Sequence, residues 1–328
     1  MTGRGLTLGI SGFGSIGRRH ARVAAADGWS VVVFDPVPPA DAELADLTAR
    51  PAFVDTFDAL LGAGVHAVVV ATPDAAHAAQ AIACCERGIP VLVEKPLADT
   101  REGACAVEAA GHSTGTPVLC GYVLRHSSAL GAAREMLLAG QIGTLASFHV
   151  NLGAYETLEL ARSRFGPADR DHLYVDYSHE WDYLCWLFGP ARRVCSAART
   201  VQDLPLVQAP NVLDALIELE SVSGSAHLDY VQRPGCRALS VVGTGGILDV
   251  DVPAGTVTRR DLAATLHVYR FSQERDELFR LQLANLAAVA GGTGLPVVTA
   301  SDGVRAVAMA EALIESSRTS AWVRVDGR

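Results

Sequence analysis

The chain has 328 residues, of which 49% are hydrophobic and 19% are charged, and its mean hydropathy is +0.23. This length suits two domains, and this composition excludes an intrinsically disordered chain. The net charge is −9 and no basic cluster offsets it, so the sequence predicts neither a nucleic-acid nor a membrane partner. The longest uncharged window, Leu281–Ser301, contains glycines and a proline and is not a membrane span.

Seven cysteines are scattered along the sequence without a C-x-x-C pair. Their odd number and their spacing are typical of buried thiols in a reducing compartment and argue against a structural zinc site. The first residues also lack the apolar stretch of a secretion signal. We therefore expect a cytoplasmic protein without a bound metal.

Short apolar runs alternate with helical patterns over the first 122 residues. Runs of Val, Ile and Leu without polar alternation are typical of parallel strands buried on both faces, and the β/α alternation predicts a doubly wound Rossmann sheet. The predicted strands are Leu6–Ile10, Val31–Phe34, His66–Ala71, Pro90–Val93 and Pro117–Gly121. The predicted helices lie near Ile16–Ala26, Ala75–Arg87 and Thr100–Gly111.

The pattern changes after residue 122, where residues that alternate in polarity predict an α/β domain with an open, largely antiparallel sheet. Its predicted strands are Ala146–Gly153 and residues 192–201, 211–221, 224–233, 237–242 and 246–252. Its predicted helices lie near Ser128–Ala139, Tyr174–Phe188, Gln273–Ala290 and Asp302–Ser317. An arginine-rich loop carries Arg162, Arg164 and Arg170.

A glycine-rich turn follows the first predicted strand and opens the first helix. In such a turn the first glycine permits a tight bend, the second lets the backbone approach a pyrophosphate, and the third lets helix and strand pack closely. An acid at the end of the second strand, here Asp35, accepts hydrogen bonds from ribose hydroxyls and repels a 2′-phosphate, which favours NAD. Arg18 and Arg19 keep NADP as an alternative, and later motifs disfavour S-adenosylmethionine. The turn consists of Gly12, Phe13, Gly14, Ser15, Ile16 and Gly17.

Lys95 follows the predicted strand Pro90–Val93 in the tripeptide Glu94-Lys95-Pro96. Ligands of open parallel sheets bind beyond the carboxyl ends of the strands, so this lysine is predicted near the nicotinamide end of a dinucleotide. Pro96 restricts Lys95 to an extended or turn conformation and permits a cis bond. Taken alone, a lysine in such a loop is more often a solvated surface residue.

Five stretches together resemble the Gfo/Idh/MocA oxidoreductases, relatives of glucose-fructose oxidoreductase and inositol dehydrogenase. The resemblance implies a Rossmann domain over residues 1–122, and a substrate-binding and oligomerisation domain over residues 123–328. It also implies an NAD(P)-dependent dehydrogenase or reductase of a sugar, cyclitol or similar polyol, assembled as a homodimer or homotetramer. The stretches are GFGSIGRRHA (12–21), ATPDAAHAAQAIACCERGIPVLVEKPLADT (71–100), GYVLRHSSAL (121–130), GQIGTL (140–145) and DYSHEWDYLCWLFGP (176–190).

The resemblance assigns roles to individual residues. Lys95 matches the family lysine of proton transfer, and His179 matches the histidine of a D-x-x-x-H helix, with Asp182 at the usual interval after it. Val175 occupies the position of the family aspartate, and Asp176 lies one residue later. Positions i−3 and i−4 share a helix face, so Asp176 is a candidate to substitute for that aspartate, and its role stays open. Cofactor contacts are implied at Thr72, Pro73, His77, Glu94 and Lys95.

Candidate substrate residues follow the last predicted Rossmann strand. Where the family has G-Y-N-L-R-F-H-P, this chain keeps Tyr122 and Arg125 but carries His126 in place of the phenylalanine, so His126 either contacts ligand or packs in the core. Arg233 closes a predicted strand and either meets a substrate carboxylate or phosphate or forms an ordinary ion pair.

The predicted reaction is hydride transfer between nicotinamide and a carbinol carbon, with the cofactor supplying the chemistry and Lys95 exchanging the hydroxyl proton. A lysine is a weak base at neutral pH unless its surroundings or His179 assist, and which of the two is the base stays open. Two alternatives are a redox-neutral, NAD-using glycosidase and a non-catalytic dinucleotide-binding regulator. The presence of both Lys95 and His179 favours an enzyme.

Overall fold

The computed structural model describes residues 5–37, 44, 47–155, 172–201, 204 and 210–325. The predicted arginine-rich loop with Arg162, Arg164 and Arg170 lies outside the described residues. The chain divides into two compact units, one of Met1–His126 with Glu274–Val307 and the other of Ser127–Gln273 with Ala308–Arg328.

The first unit is built on a six-stranded parallel sheet with strand order β3-β2-β1-β4-β5-β6, which confirms the predicted Rossmann fold. Strands β4 and β5 are buried along their whole length, as their uninterrupted apolar sequences predict. Strand β3 was not predicted, because it is a short, largely exposed edge strand. The strands are β1 Thr7–Ser11, β2 Ser30–Phe34, β3 Ala52–Val54, β4 Ala67–Val70, β5 Val91–Val93 and β6 Val118–Cys120.

The second unit is built on a nine-stranded sheet with strand order β14-β13-β12-β11-β7-β10-β9-β8-β15. Strands β7 and β10 pair in parallel and the other neighbours pair antiparallel, which confirms the predicted open, largely antiparallel sheet. The strands are β7 Leu145–Gly153, β8 Ala191–Arg199, β9 Val212–Leu219, β10 Ser223–Asp229, β11 Cys236–Gly243, β12 Gly246–Asp251, β13 Thr256–Asp261, β14 Leu266–Arg270 and β15 Val323–Arg324.

Nine α-helices lie within the described part of the chain, and none is long and apolar enough to cross a membrane. They are α1 Ser15–Ala26, α2 Phe57–Leu61, α3 His77–Glu86, α4 Arg101–Thr114, α5 Ser128–Leu138, α6 His172–Asp176, α7 Ser178–Phe188, α8 Arg275–Ala290 and α9 Ala300–Thr319.

The two compact units do not correspond to a single division of the chain after residue 122. Helix α8 follows most of the second unit in sequence but belongs to the first unit. Its apolar side chains Phe279, Leu283 and Leu286 are buried in the same core as Leu8 and Ile10 of β1. A sequence pattern marks such a helix as amphipathic but does not indicate which core its apolar face joins.

Helices α6 and α7 together replace the single helix that was predicted over Tyr174–Phe188. The break lies at Tyr177, whose φ of −96° and ψ of 23° depart from helical values. The carbonyl oxygen of Tyr174, which a continuous helix would bond to the N–H of Ser178, instead accepts a hydrogen bond from Trp181 Nε1 at 2.8 Å. Asp176 and His179 therefore lie on two successive helices and not on one continuous helix, and the role of Asp176 stays a prediction.

Candidate active site

The glycine-rich turn connects β1 to α1, and two of its glycines are required by close backbone contacts. Gly12 has a φ of +90°, donates its N–H to the Phe34 carbonyl at 2.8 Å, and would place a Cβ 2.6 Å from the Ala71 carbonyl oxygen. A Cβ on Gly17 would collide with the carbonyl oxygen of Gly12. No other residue type fits these two positions without moving the backbone.

Gly14 differs from its neighbours because a Cβ there would meet no atom within 4 Å. It is the N-cap of α1, no side chain caps this helix end, and no acid occupies its first turn. Gly14 and Ser15 are exposed, Ile16 is half-buried, and the ring of Phe13 is buried. An uncapped helix N-terminus with room beside its backbone fits the pyrophosphate of a dinucleotide.

Asp35 follows β2 and is hydrogen-bonded to the glycine-rich turn. Its Oδ2 accepts a hydrogen bond from the Phe13 N–H at 2.6 Å, and its Oδ1 accepts one from the Val37 N–H at 2.8 Å. A carboxylate offers about four acceptor positions, so these two bonds leave capacity for ribose hydroxyls. The residue is thus suited to hold the turn and to bind the ribose.

The candidate cofactor residues after β4 fall into two groups. Pro73 is exposed and Thr72 is half-buried, with its hydroxyl donating to Gln80 at 3.2 Å. His77 is 1% exposed, and its Nδ1 and Nε2 lie 2.7 Å from the Pro96 carbonyl oxygen and 2.9 Å from that of Thr72. Because both ring nitrogens face backbone carbonyls, His77 braces two loops, and a cofactor contact at this residue stays a prediction.

Glu94 and Lys95 follow β5 at the carboxyl edge of the sheet, and the Lys95–Pro96 bond is cis. Glu94 Oε1 lies 2.7 Å from Nε2 of His20, a fully buried histidine of α1 that sequence reasoning did not single out. Burial alone would raise the pKa of Glu94, but the hydrogen bond and charge of His20 and the charge of Lys95 outweigh it and lower that pKa. The carboxylate beside Lys95 therefore stays ionised, and its predicted cofactor contact stays a prediction.

Lys95 is the only lysine in the sequence, since the other 26 of the 27 Lys and Arg residues are arginines. An arginine does not lose its proton at the pH of a cell, whereas the amine of a lysine does when its surroundings favour it. The presence of a single lysine therefore marks Lys95 as a candidate functional residue, independently of the motif in which it lies.

The segment after β6 braces the fold more than it offers ligand groups. Tyr122 is fully buried, and Arg125 is 7% exposed with its Nη2 3.2 Å from Asp302 Oδ1, so neither is placed as the predicted substrate contact. His126 is partly buried, and burial together with the charge of Arg125 lowers its pKa to about 4. His126 is therefore a neutral imidazole at neutral pH.

In the second unit, Asp176 ends α6 and His179 lies in the first turn of α7. Asp176 Oδ2 accepts a hydrogen bond from the hydroxyl of Tyr230 at 3.0 Å. Asp182, which was expected on the polar face, is 1% exposed. Asp176 and His179 are both half-buried, so each keeps a surface that a ligand can reach.

Arg233 lies in the loop after β10, where its guanidinium carbon is 3.2 Å from the centroid of the Tyr155 ring. The residue is exposed, and stacking on an aromatic ring leaves the edge of a guanidinium able to bind an anion. Among the described residues, no group of three or more His, Cys, Asp or Glu side chains is arranged to hold a metal ion.

Comparison with known proteins agrees with this geometry. A family model for an oxidoreductase family with an NAD-binding Rossmann fold matches residues 6–122, and its C-terminal alpha/beta domain model matches residues 134–325. The chain belongs to the Gfo/Idh/MocA oxidoreductase family. Its Rossmann unit is thus the NAD-binding domain of this family, as the turn at residues 12–17 predicts.

Two curated members of the Gfo/Idh/MocA family and one solved structure illustrate the similarity. Inositol 2-dehydrogenase 2 of Saccharopolyspora erythraea is 28% identical over 98% of this chain and 96% of that protein. Inositol 2-dehydrogenase 1 of the same organism is 30% identical over 83% of this chain and 80% of that protein. Levoglucosan dehydrogenase, solved with NADH, shares the fold with a TM-score of 0.84, at 19% identity over 98% of this chain and 99% of that one.

Proposed function

We propose that this family member is an NAD-dependent dehydrogenase that oxidises a secondary alcohol of a cyclitol or sugar-like polyol, with Lys95 as the proton acceptor. The observation that carries the proposal is the position of the sole lysine, at the carboxyl end of β5 and on the same edge of the parallel sheet as a turn suited to a dinucleotide. The similarity to inositol 2-dehydrogenases over nearly the whole chain supports a cyclitol-like substrate.

The chemistry divides between the cofactor and the protein. The bound nicotinamide takes up the hydride from the carbinol carbon. Lys95 accepts the proton of the hydroxyl as the C–O bond becomes a carbonyl, so the carbinol loses one hydride and one proton. We assign substrate hydroxyl contacts to Asp176 and His179, the two half-buried polar residues at the junction of α6 and α7.

The test is a panel of cyclitols, sugars and amino-sugars with NAD and NADP, followed by the absorbance of the reduced nicotinamide. Lys95→Met and His179→Ala should each lower turnover by roughly 10²- to 10⁴-fold, with NAD affinity little changed. Lys95→Arg keeps the positive charge without an amine that titrates, and it should fail as Lys95→Met does. His112→Ala, at an exposed position of α4, is the matched control.

Two results would overturn the proposal. Full turnover by Lys95→Met with an active substrate would show that Lys95 is not the proton acceptor. Cleavage of a glycoside without accumulation of reduced nicotinamide would indicate the redox-neutral glycosidase instead.

We also infer a homodimer or homotetramer in the cytoplasm. The side chains on one face of the second sheet, among them His149, Asn151 and Leu216, are exposed and available to a second copy. All seven cysteines are free thiols, which suits a reducing compartment. Light scattering at micromolar concentration tests the assembly, and a monomer would contradict it.

A further inference from the structure

Tyr230 lies directly after β10 and is fully buried, yet its hydroxyl contacts a half-buried carboxylate. The hydroxyl donates to Asp176 Oδ2 at 3.0 Å across 54 positions of sequence. Resting on the proposed function, we propose that Tyr230 is a positioning residue, which sets the orientation of the Asp176 carboxylate toward the substrate.

Tyr230 is held firmly by its own surroundings. Its backbone N–H donates to the Asn211 carbonyl at 3.1 Å, and its ring lies 5.1 Å from that of Tyr177. The preceding residue, Asp229, accepts hydrogen bonds from the N–H groups of Val231 and Gln232, which closes the turn behind the tyrosine. A donor fixed in this way holds its acceptor in one place.

The phenol also remains a donor over a wide pH range. Burial raises the pKa of Tyr230 well above its usual value, and the nearby charge of Asp176 raises it further. The bond engages one carboxylate oxygen of Asp176 without removing its charge, because the donor itself is neutral. Asp176 thus keeps the acceptor character that a substrate hydroxyl requires.

The helix break explains why this support is needed. Asp176 is the last residue of α6, and Tyr177 separates it from the helix that carries His179. In a continuous helix, the backbone itself would set the spacing of the two side chains. Here Tyr177 has non-helical dihedrals, so helical geometry alone does not set that spacing, and the hydroxyl of Tyr230 holds one oxygen of the carboxylate.

The experiment is a double-mutant cycle with Tyr230→Phe, Asp176→Asn and the double variant in the full-length protein. Tyr230→Phe removes one oxygen atom and leaves the buried ring. Misplacement of a binding group costs up to about 100-fold in rate, so we expect kcat to fall roughly 10- to 100-fold in each single variant. The double variant should be no slower than Asp176→Asn, because both changes remove the same function.

The control is Tyr174→Phe, which removes another buried tyrosine hydroxyl from helix α6. That hydroxyl donates to Ser317 Oγ of helix α9 at 2.8 Å. Its kcat should stay within about twofold of wild type. Melting temperature and NAD affinity are measured for every variant, so that a loss of folding is separated from a loss of positioning.

Each outcome decides the question. Coupled losses in kcat with unchanged NAD affinity support the positioning role. A slow Asp176→Asn with a normal Tyr230→Phe overturns it while the proposed function stands, and so do additive losses that follow the melting temperature. If neither Asp176→Asn nor Lys95→Met slows turnover, the proposed active site itself is wrong.

Discussion

His20 Nε2 lies 2.7 Å from Glu94 Oε1, which joins the helix after the glycine-rich turn to the residue before Lys95. His20 is fully buried and the Glu94 side chain is 13% exposed, so the pair is largely withdrawn from water. One contact therefore connects the two loops that are assigned to cofactor binding and to proton transfer. A substitution of His20 or of Glu94 is therefore expected to disturb both loops.

His20→Leu should destabilise the protein by about 3 kcal/mol at neutral pH, because it leaves a buried carboxylate without its donor. The free energy of unfolding in urea measures this loss. Asp58→Asn is the control, since its pair with Arg87 is exposed and should contribute less than about 1 kcal/mol. Equal losses in both variants would contradict the buried role of the pair.

The same pair has a pH dependence. The pKa of Glu94 is lower in the native protein than its ordinary value of 4.5, so its stabilisation is complete above that pH and disappears as the pH falls through the native value. The difference in unfolding free energy between wild type and His20→Leu should shrink over this acidic range. A difference that stays constant with pH would show that the lost stability comes from packing alone.

The parallel sheet of the first unit and five of its six strands could be predicted, because parallel strands buried on both faces leave a continuous apolar pattern. The roles of the buried polar residues could not be predicted from the sequence. Arg125 pairs with Asp302, which lies 177 positions away, and His77 spans two backbone carbonyls. Sequence identifies such residues as polar, while only the tertiary contacts decide whether they brace the fold or face a ligand.

The junction of α6 and α7 also escapes sequence reasoning. The apolar spacing over residues 174–188 is that of one helix, and no proline or glycine marks the break at Tyr177. Two side-chain hydrogen bonds accompany the break, one within the segment from Trp181 Nε1 to the Tyr174 carbonyl and one from the hydroxyl of Tyr230, 54 positions beyond Asp176. The apolar spacing therefore predicted helical structure over this segment, but it carries no information about side-chain hydrogen bonds that form only in the folded protein.

Asp35→Ala should narrow the preference for NAD over NADP by about tenfold or more, because it removes an acceptor for the ribose hydroxyls and a charge that repels a 2′-phosphate. Affinity for NAD should fall as well, since Asp35 also holds the N–H of Phe13. Direct titration of both cofactors measures the change. Asp55→Ala, at an exposed carboxylate after β3, is the control, and tighter binding of NADP by wild type would contradict the prediction.

Gly14→Val should leave the protein folded and weaken NAD binding by about 100-fold or more, because the branched side chain occupies the space through which the backbone meets the pyrophosphate. The added Cβ itself meets no protein atom within 4 Å. Gly131→Val is the matched control, since its Cβ is equally unobstructed in helix α5. Unchanged NAD affinity in a folded Gly14→Val would show that the glycine-rich turn does not bind the cofactor.

His126→Phe tests the neutral imidazole after β6. The pKa of His126 is about 4 in the folded protein against an ordinary 6.5, so between these values the unfolded chain binds a proton that the native protein does not. Wild type should therefore lose roughly 2 kcal/mol of unfolding free energy between about pH 7 and about pH 5 through this group alone.

Phenylalanine takes up no proton, so His126→Phe should not lose this stability as the pH falls. In urea unfolding, the free energy of unfolding of the variant relative to that of wild type should therefore rise by that amount. His112→Phe, on the exposed side of α4, should show no comparable change in the difference. Parallel pH curves for wild type and His126→Phe would mean that His126 takes up its proton as readily in the folded chain as in the unfolded one. The imidazole of the folded protein would then be charged below about pH 6.5, whereas a pKa of about 4 keeps it neutral there.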